Sequence, residues 1–260
     1  METNSTITDQ TNPDPSAPKQ VRYRGFYALP SLFTLSSLFA AFYAITSAFA
    51  GKYETAAMAM FVSMVLDGLD GRVARLTHTQ SEFGAQLDSL VDMVAFGVAP
   101  AMVAYVWSLH SIGKVGWIIA FIYASCAALR LARFNVQIGV VDKKYFIGLA
   151  SPSAAALVAG SVWVATDLEW SGENIVYLMA LITLAAGLLM VSNFKYNSFK
   201  DIKSGGRLPL VGVLVMAAAL AIISQYPSKV LLLLAAGYAL SGPITYLLRT
   251  RKKTASQLSE

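Results

Sequence analysis

An all-α, polytopic transmembrane helix bundle of about eight spans, with both termini cytoplasmic, is the fold class this sequence predicts. Three observations predict it. Hydrophobic residues make up 56% of the 260-residue chain and charged ones only 13%. Apolar windows long enough to cross a bilayer recur between polar breaks. Seventeen of the 20 lysines and arginines fall on the side that holds the N-terminus, leaving only Lys52, Lys114 and Lys229 on the other, as the positive-inside rule requires. The acidic group Asp167, Glu169 and Glu173 falls on the outer side.

Residues 1–25 are polar, hold three of the nine prolines and lack hydrophobic periodicity, which reads as a mobile cytoplasmic tail. They contain no secretory signal, because the apolar stretch that follows is too long and has no small-residue cleavage pattern. The membrane domain is expected over 26–248, with spans near 27–50, 53–75, 83–109, 114–134, 147–166, 173–192, 209–224 and 228–248. Residues 249–260 form a basic cytoplasmic tail. The fourth window holds the single cysteine, Cys126, so an internal disulfide and a cysteine-rich metal site are both excluded. The last two windows carry little polar chemistry and suit packing, dimer contact or attraction to anionic lipid. The net charge of +5 does not indicate nucleic acid, since the basic residues alternate with spans instead of forming a basic domain.

The second and third windows are different. Asp67, Asp70, Gly71, Ala74 and Arg75 share one face of a 3.6-residue helix, and Gly84, Asp88 and Asp92 form an i, i+4, i+8 stripe on the next. Both carboxylate faces meet across one short turn at similar depth, forming a pocket that opens to the cytoplasm. Four carboxylates in a low-dielectric pocket must be protonated in part or neutralised by cations. Two divalent ions balance the charge, and oxygen-only ligands select Mg²⁺, Mn²⁺ or Ca²⁺ over zinc. Neither His78 nor His110 is spaced to join them. Carboxylate-held ions commonly bind diphosphates. Gly71 and Gly84 let a nucleotide approach the helix backbone, and Arg75 offers a forked donor to phosphate. The set reads as a metal-diphosphate site with a spare carboxylate to act as base. The rival readings are polar pairing that merely holds helices together, and a carboxylate-lined cation pathway of an ion-coupled transporter. The first does not account for four aspartates on one pocket, nor the second for the ordered glycines and arginine.

Residues 67–92 read DGLDGRVARLTHTQSEFGAQLDSLVD, with the spacing Asp-x₂-Asp-Gly-x₂-Ala-Arg-x₈-Gly-x₃-Asp-x₃-Asp. This spacing matches the signature of the CDP-alcohol phosphotransferase family at every defined position, and on it the chain is identified as a member of that family. The resemblance implies that Asp67, Asp70 and Asp88 ligate a pair of divalent cations, Mg²⁺ or Mn²⁺, with Asp92 as both ligand and general base. It implies that Gly71, Arg75 and Gly84 contact the CDP moiety of a CDP-diacylglycerol. Ser81 sits where members often place a hydroxyl near the phosphates, although it also suits an N-cap. A Pro-Asn-x-x-Thr element common in the first helix reads Pro30-Ser31-Leu32-Phe33-Thr34 here, bringing Ser31 and Thr34 near the nucleotide. Ser31 stands in for asparagine, and its hydroxyl can still donate or accept; Thr34 can equally bond back to its own helix.

Outside the motif, ALRLARFN (128–135), YFIGLASPSAA (145–155) and MVSNFKYNSFKDI (190–202) resemble the membrane-integral branch of the family that takes L-serine as acceptor. One departure is Ala150, where that branch usually has proline. The resemblance implies a phosphatidyltransferase of phospholipid synthesis in the inner (cytoplasmic) membrane, acting as a homodimer with its site facing the cytoplasm. An amino-acid acceptor carries a carboxylate, so its pocket needs a cation: Arg130 and Arg133 come first, with Lys200 a further candidate. Members that use glycerol 3-phosphate, inositol phosphate or choline share the motif. Intramembrane prenyltransferases also bind diphosphate through aspartates, but on two well-separated helices.

Overall fold

Ala28–Phe49 forms the first helix, α1, and a tight reversal at Gly51, whose φ is +73°, returns the chain into α2, Tyr53–Leu76. The computed structural model describes residues 28–77, 79, 81–137, 145–197 and 224–257. Small residues face one another across this hairpin, with Ala41, Ala44 and Ala48 of α1 and Ala56 and Ala59 of α2 all buried, so the backbones approach closely. Ser37 and Ser63 lock the pair reciprocally. Ser37 Oγ donates to the Ser63 carbonyl at 3.0 Å, and Ser63 Oγ to the Ser37 carbonyl at 2.9 Å. This lock sits mid-helix, about one turn from Thr34 on α1 and from Asp67 on α2, and so holds together the halves that carry the site.

The third expected span, 83–109, is a composite. Its first part is α3, Glu82–Asp92, followed by a π-helical segment, Met93–Val98, and then α4, Ala99–Trp107. A short 3₁₀ turn, Leu109–Ile112, and Gly113 at φ +60° lead into α5, Lys114–Gln137. Further along are α6, Ser151–Asp167, and α7, Val176–Val191. The final helix, α8, runs Pro227–Gln257 and so continues through most of the basic segment expected as a tail.

The bundle is helical as expected, with one addition. A two-stranded antiparallel ribbon pairs β1, Tyr145–Ile147, with β2, Lys195–Asn197, Phe146 lying opposite Tyr196. Because of it, the helix of the fifth expected span, α6, starts at Ser151 and not near 147. Gly148 adopts φ +82°, its N–H bonds the Phe194 carbonyl at 2.9 Å, and a Cβ there would collide with the Met190 carbonyl. Pro152 then opens α6 in its first turn, where its missing N–H costs nothing. Ala150 holds φ −62°, the angle proline would impose, so the backbone there does not depend on proline.

Among the described residues, four helical stretches are long and apolar enough to cross a membrane: Pro30–Phe49, Glu82–Trp107, Lys114–Val136 and Pro227–Tyr246. The chain is a multi-pass membrane protein. The expected 209–224 span, apart from its last residue, and the 1–25 tail lie outside the described residues. The core runs down the middle of the bundle, with Phe96, Tyr123, Leu149, Val158, Val162 and Met190 all fully buried. At the end away from the aspartates, Ser108 Oγ donates to the Gly172 carbonyl at 2.6 Å and Ser228 Oγ donates to Asp167.

Candidate active site

Helix α2 carries Asp67 and Asp70, and α3 carries Asp88 and Asp92. One carboxylate oxygen from each of Asp67, Asp70 and Asp88 lies within 4.8 Å of the others. Asp92 closes α3 beside Asp67. Asp70 Oδ2 and Asp92 Oδ1 are buried and have no hydrogen-bond partner among the described residues. An orphaned carboxylate oxygen in a low-dielectric interior is strongly unfavourable unless it is protonated or a cation sits on it. The donor set is all oxygen, which fits a hard divalent ion, so the acidic trio can hold a metal.

The four aspartates do not stand alone. A single cleft is lined by Pro30, Ser31 and Thr34 from α1, by Asp70, Gly71, Ala74 and Arg75 from α2, by Thr79 in the turn, and by Ser81, Gly84, Ala85 and Asp88 at the start of α3. All six residues expected around the nucleotide, Ser31, Thr34, Gly71, Arg75, Ser81 and Gly84, therefore face one space together with two of the aspartates. A Cβ added at Gly71 would meet nothing nearer than Arg75 Nη1 at 3.9 Å, so the glycine leaves the cleft open instead of relieving a clash. Ser81 is the N-cap of α3, its Oγ accepting from the Gly84 N–H at 3.0 Å. Thr34 Oγ1 donates to the Pro30 carbonyl at 3.0 Å, the local bond its position allows, and still borders Asp70. Thr79 and Ala85 are additions that sequence reasoning missed. Thr79 is buried, its N–H on the Ala74 carbonyl at 3.1 Å and its hydroxyl 2.7 Å from that of Thr77; a turn threonine carries no spacing signal that would reveal this.

The basic candidates separate. Arg130 of α5 lies within electrostatic reach of Asp92, Tyr123 and Tyr238, and its Nη1 donates to Ser151 Oγ at the start of α6. Its Nε is buried with no partner among the described residues. Arg133, one turn on, is exposed and reaches the Val191 carbonyl at 3.4 Å, at the end of α7. Lys200 lies outside the described residues. Asn135 Nδ2 donates to Ser89 Oγ at 2.8 Å, tying the end of α5 to α3 between Asp88 and Asp92. Ser151 was not legible as a partner of Arg130, since it lies 21 residues further along the sequence, on another helix.

A family model described as CDP-alcohol phosphatidyltransferase matches residues 27–191. The CDP-diacylglycerol–serine O-phosphatidyltransferase of Helicobacter pylori (strain ATCC 700392 / 26695) is 40% identical over 177 residues, covering 68% of this chain and 75% of that protein. The protein of the same name from Mycobacterium bovis is 33% identical over 205 residues, 76% of this chain and 71% of its own length. The one from Bacillus subtilis (strain 168) is 33% identical over 172 residues, 66% of this chain and 91% of its own length.

Proposed function

This chain belongs to the CDP-alcohol phosphatidyltransferase family, and from that premise we propose that it transfers the phosphatidyl group of CDP-diacylglycerol to the hydroxyl of L-serine, giving phosphatidylserine and CMP. The observation that carries this reading is the shared cleft. Six residues suited to a CDP group line one space with Asp70 and Asp88, and Asp67 completes the acidic trio behind them.

Asp67, Asp70, Asp88 and Asp92 would hold two divalent cations, Mg²⁺ or Mn²⁺. Bound there, such ions neutralise diphosphate charge and stabilise a departing phosphate. Arg75 donates to the diphosphate, while Gly71 and Gly84 leave room for the cytidine side to lie against the helices. Asp92 takes the proton of the serine hydroxyl as that oxygen attacks the β-phosphorus. A new P–O bond forms to serine, and the bond to the α-phosphate oxygen breaks and leaves its electron pair on CMP. Arg130 supports the choice of acceptor. A carboxylate held on its guanidinium would set the serine hydroxyl beside Asp92, which Arg130 itself faces.

We place the protein in the inner (cytoplasmic) membrane with eight spans, both termini and the site facing the cytoplasm, and as a homodimer. The distribution of 17 of 20 basic residues on one side supports the orientation. Family resemblance supports the dimer.

The test is CMP release by detergent-purified protein with CDP-diacylglycerol and Mn²⁺ or Mg²⁺, comparing L-serine with glycerol 3-phosphate, inositol phosphate and choline. Release that requires serine, vanishes with chelator and returns with added ion supports the proposal. Release with a different alcohol retains the site and changes the acceptor. Protein that binds divalent ions but releases no CMP with any acceptor moves the ion-pathway reading to the front.

A further inference from the structure

We propose that Ser151 of α6 is a positioning residue for Arg130, turning the guanidinium to receive the acceptor's carboxylate. This rests on the amino-acid acceptor reading above. A serine at a helix start ordinarily caps the helix. Here the N-cap is Ala150 and no side chain caps α6; the Ser151 hydroxyl oxygen accepts from Arg130 Nη1 instead.

Two cross-links set the level of Arg130 on α5. Seven residues before it, the Tyr123 hydroxyl donates to the Phe96 carbonyl at 3.1 Å, and five residues after it, Asn135 Nδ2 donates to Ser89 Oγ at 2.8 Å. Ser89 and Phe96 bracket Asp92 as Tyr123 and Asn135 bracket Arg130, so both groups lie at one level between the same two links. Tyr123 and Arg130, two turns apart, also share a face of α5. Arg130 presents five N–H donors in one plane, and which of them remain for a ligand depends on how the plane is turned. Nε, on the stem of the fork, is buried and has no partner among the described residues. Ser151 holds another corner of the plane with a neutral acceptor, which leaves the positive charge for an incoming anion. A carboxylate in that place would neutralise it.

The hydroxyl is held in place by the backbone ahead of it. The Gly148 N–H bonds the Phe194 carbonyl and the Leu149 N–H bonds the Leu189 carbonyl, each at 2.9 Å. Gly148, at φ +82°, lies against the Met190 carbonyl where a side chain would not fit. Pro152 stiffens the first turn of α6, and Leu149 and Ser151 are both fully buried. The end of α7 and the ribbon thus set Ser151, and Ser151 sets the guanidinium. Arg133, three residues on, is exposed and reaches a backbone carbonyl instead, that of Val191.

The experiment measures CMP release by the purified full-length protein with CDP-diacylglycerol, Mn²⁺ and L-serine, varying each substrate in turn. Ser151→Ala is expected to raise the KM for serine about 10-fold, with kcat and the KM for CDP-diacylglycerol near wild type. The unchanged lipid KM shows that the variant is folded. Arg130→Lys replaces the plane by a point charge with no orientation to set. It should raise the serine KM by itself, and Ser151→Ala should add nothing to it. A serine KM that rises again when Ser151→Ala is added to Arg130→Lys shows that Ser151 acts apart from Arg130 and overturns the proposal. So does an unchanged serine KM in Ser151→Ala, a rise shared by both substrates, or a fall in kcat alone. Wild-type protein that releases no CMP with serine overturns the acceptor reading itself, a separate failure visible before any variant is made.

Discussion

The hydroxyl of Tyr123 donates to the carbonyl of Phe96 at 3.1 Å, and both residues are fully buried. In the α register that carbonyl would be bonded by residue 100, which is Pro100. The helix winds as π over Met93–Val98 instead, with the Ala99 N–H on the Val94 carbonyl, and Tyr123 of α5 gives the Phe96 carbonyl a side-chain donor where Pro100 offers none. The π segment begins one residue after Asp92, so this bond holds the stretch that aims the last carboxylate. Tyr196 and Ala239 repeat the arrangement in α8, again four residues before a proline.

Tyr123→Phe leaves the Phe96 carbonyl buried with its donor removed and is expected to cost about 1–3 kcal/mol of stability. CMP release should fall with it, because the segment after Asp92 loses its anchor. Pro100→Ala in the same background returns an N–H to residue 100 and should recover part of the loss. Thermal unfolding of the single and double variants measures the coupling. Strictly additive losses would show that the hydroxyl and the proline act independently.

Asp92→Asn keeps the shape of the side chain and removes its ability to accept a proton. Turnover is expected to fall roughly 10²–10⁴-fold while CDP-diacylglycerol binding changes little. Single-turnover CMP release and a lipid-binding assay on the same preparation separate the two. Near-normal turnover would remove Asp92 from the role of base.

Gly71→Ala adds a methyl group that meets only Arg75 Nη1, at 3.9 Å, so the fold should tolerate it. The methyl group points into space that the nucleotide needs. The expected result is an unfolding temperature close to wild type with a clearly raised KM for CDP-diacylglycerol. A normal KM would place the cytidine elsewhere.

Ser81 has a structural bond and a place in the cleft, and two substitutions distinguish them. Ser81→Ala loses the cap on the Gly84 N–H and should cost about 1 kcal/mol. Ser81→Asp retains a capping oxygen and adds negative charge where the diphosphate is proposed to lie. It should stay as stable as wild type yet bind CDP-diacylglycerol poorly, as read by thermal unfolding and by KM. If both variants bind the lipid normally, Ser81 is a cap alone.

The aspartates were legible because intramembrane charge is so costly that its spacing carries information. Helical geometry alone put Asp67 with Asp70 and Asp88 with Asp92, and the short turn brought the pairs together. The helices around them were legible too, to within a few residues at most ends. The ribbon was not. Tyr145–Ile147 and Lys195–Asn197 are three residues each and have no period long enough to read, and their pairing depends on Gly148 adopting φ +82°. The π segment was hidden for a related reason: Pro100 announces a disturbance in the helix, but not which side chain will repair it.

By itself, then, the sequence determined that this is a membrane-embedded helical protein with a carboxylate pocket on one hairpin, because hydrophobic length, charge placement and i, i+4 spacing are local properties. Tertiary structure decided what surrounds that pocket. Arg130 and Arg133 look alike in sequence, one turn apart, yet the first is turned toward Asp92 and the second toward the Val191 carbonyl. Ser151, delivered by α6, holds the first where it is. Contacts between residues so far apart in the chain follow from how whole helices pack and where proline-freed carbonyls find their donors, and no local pattern encodes either.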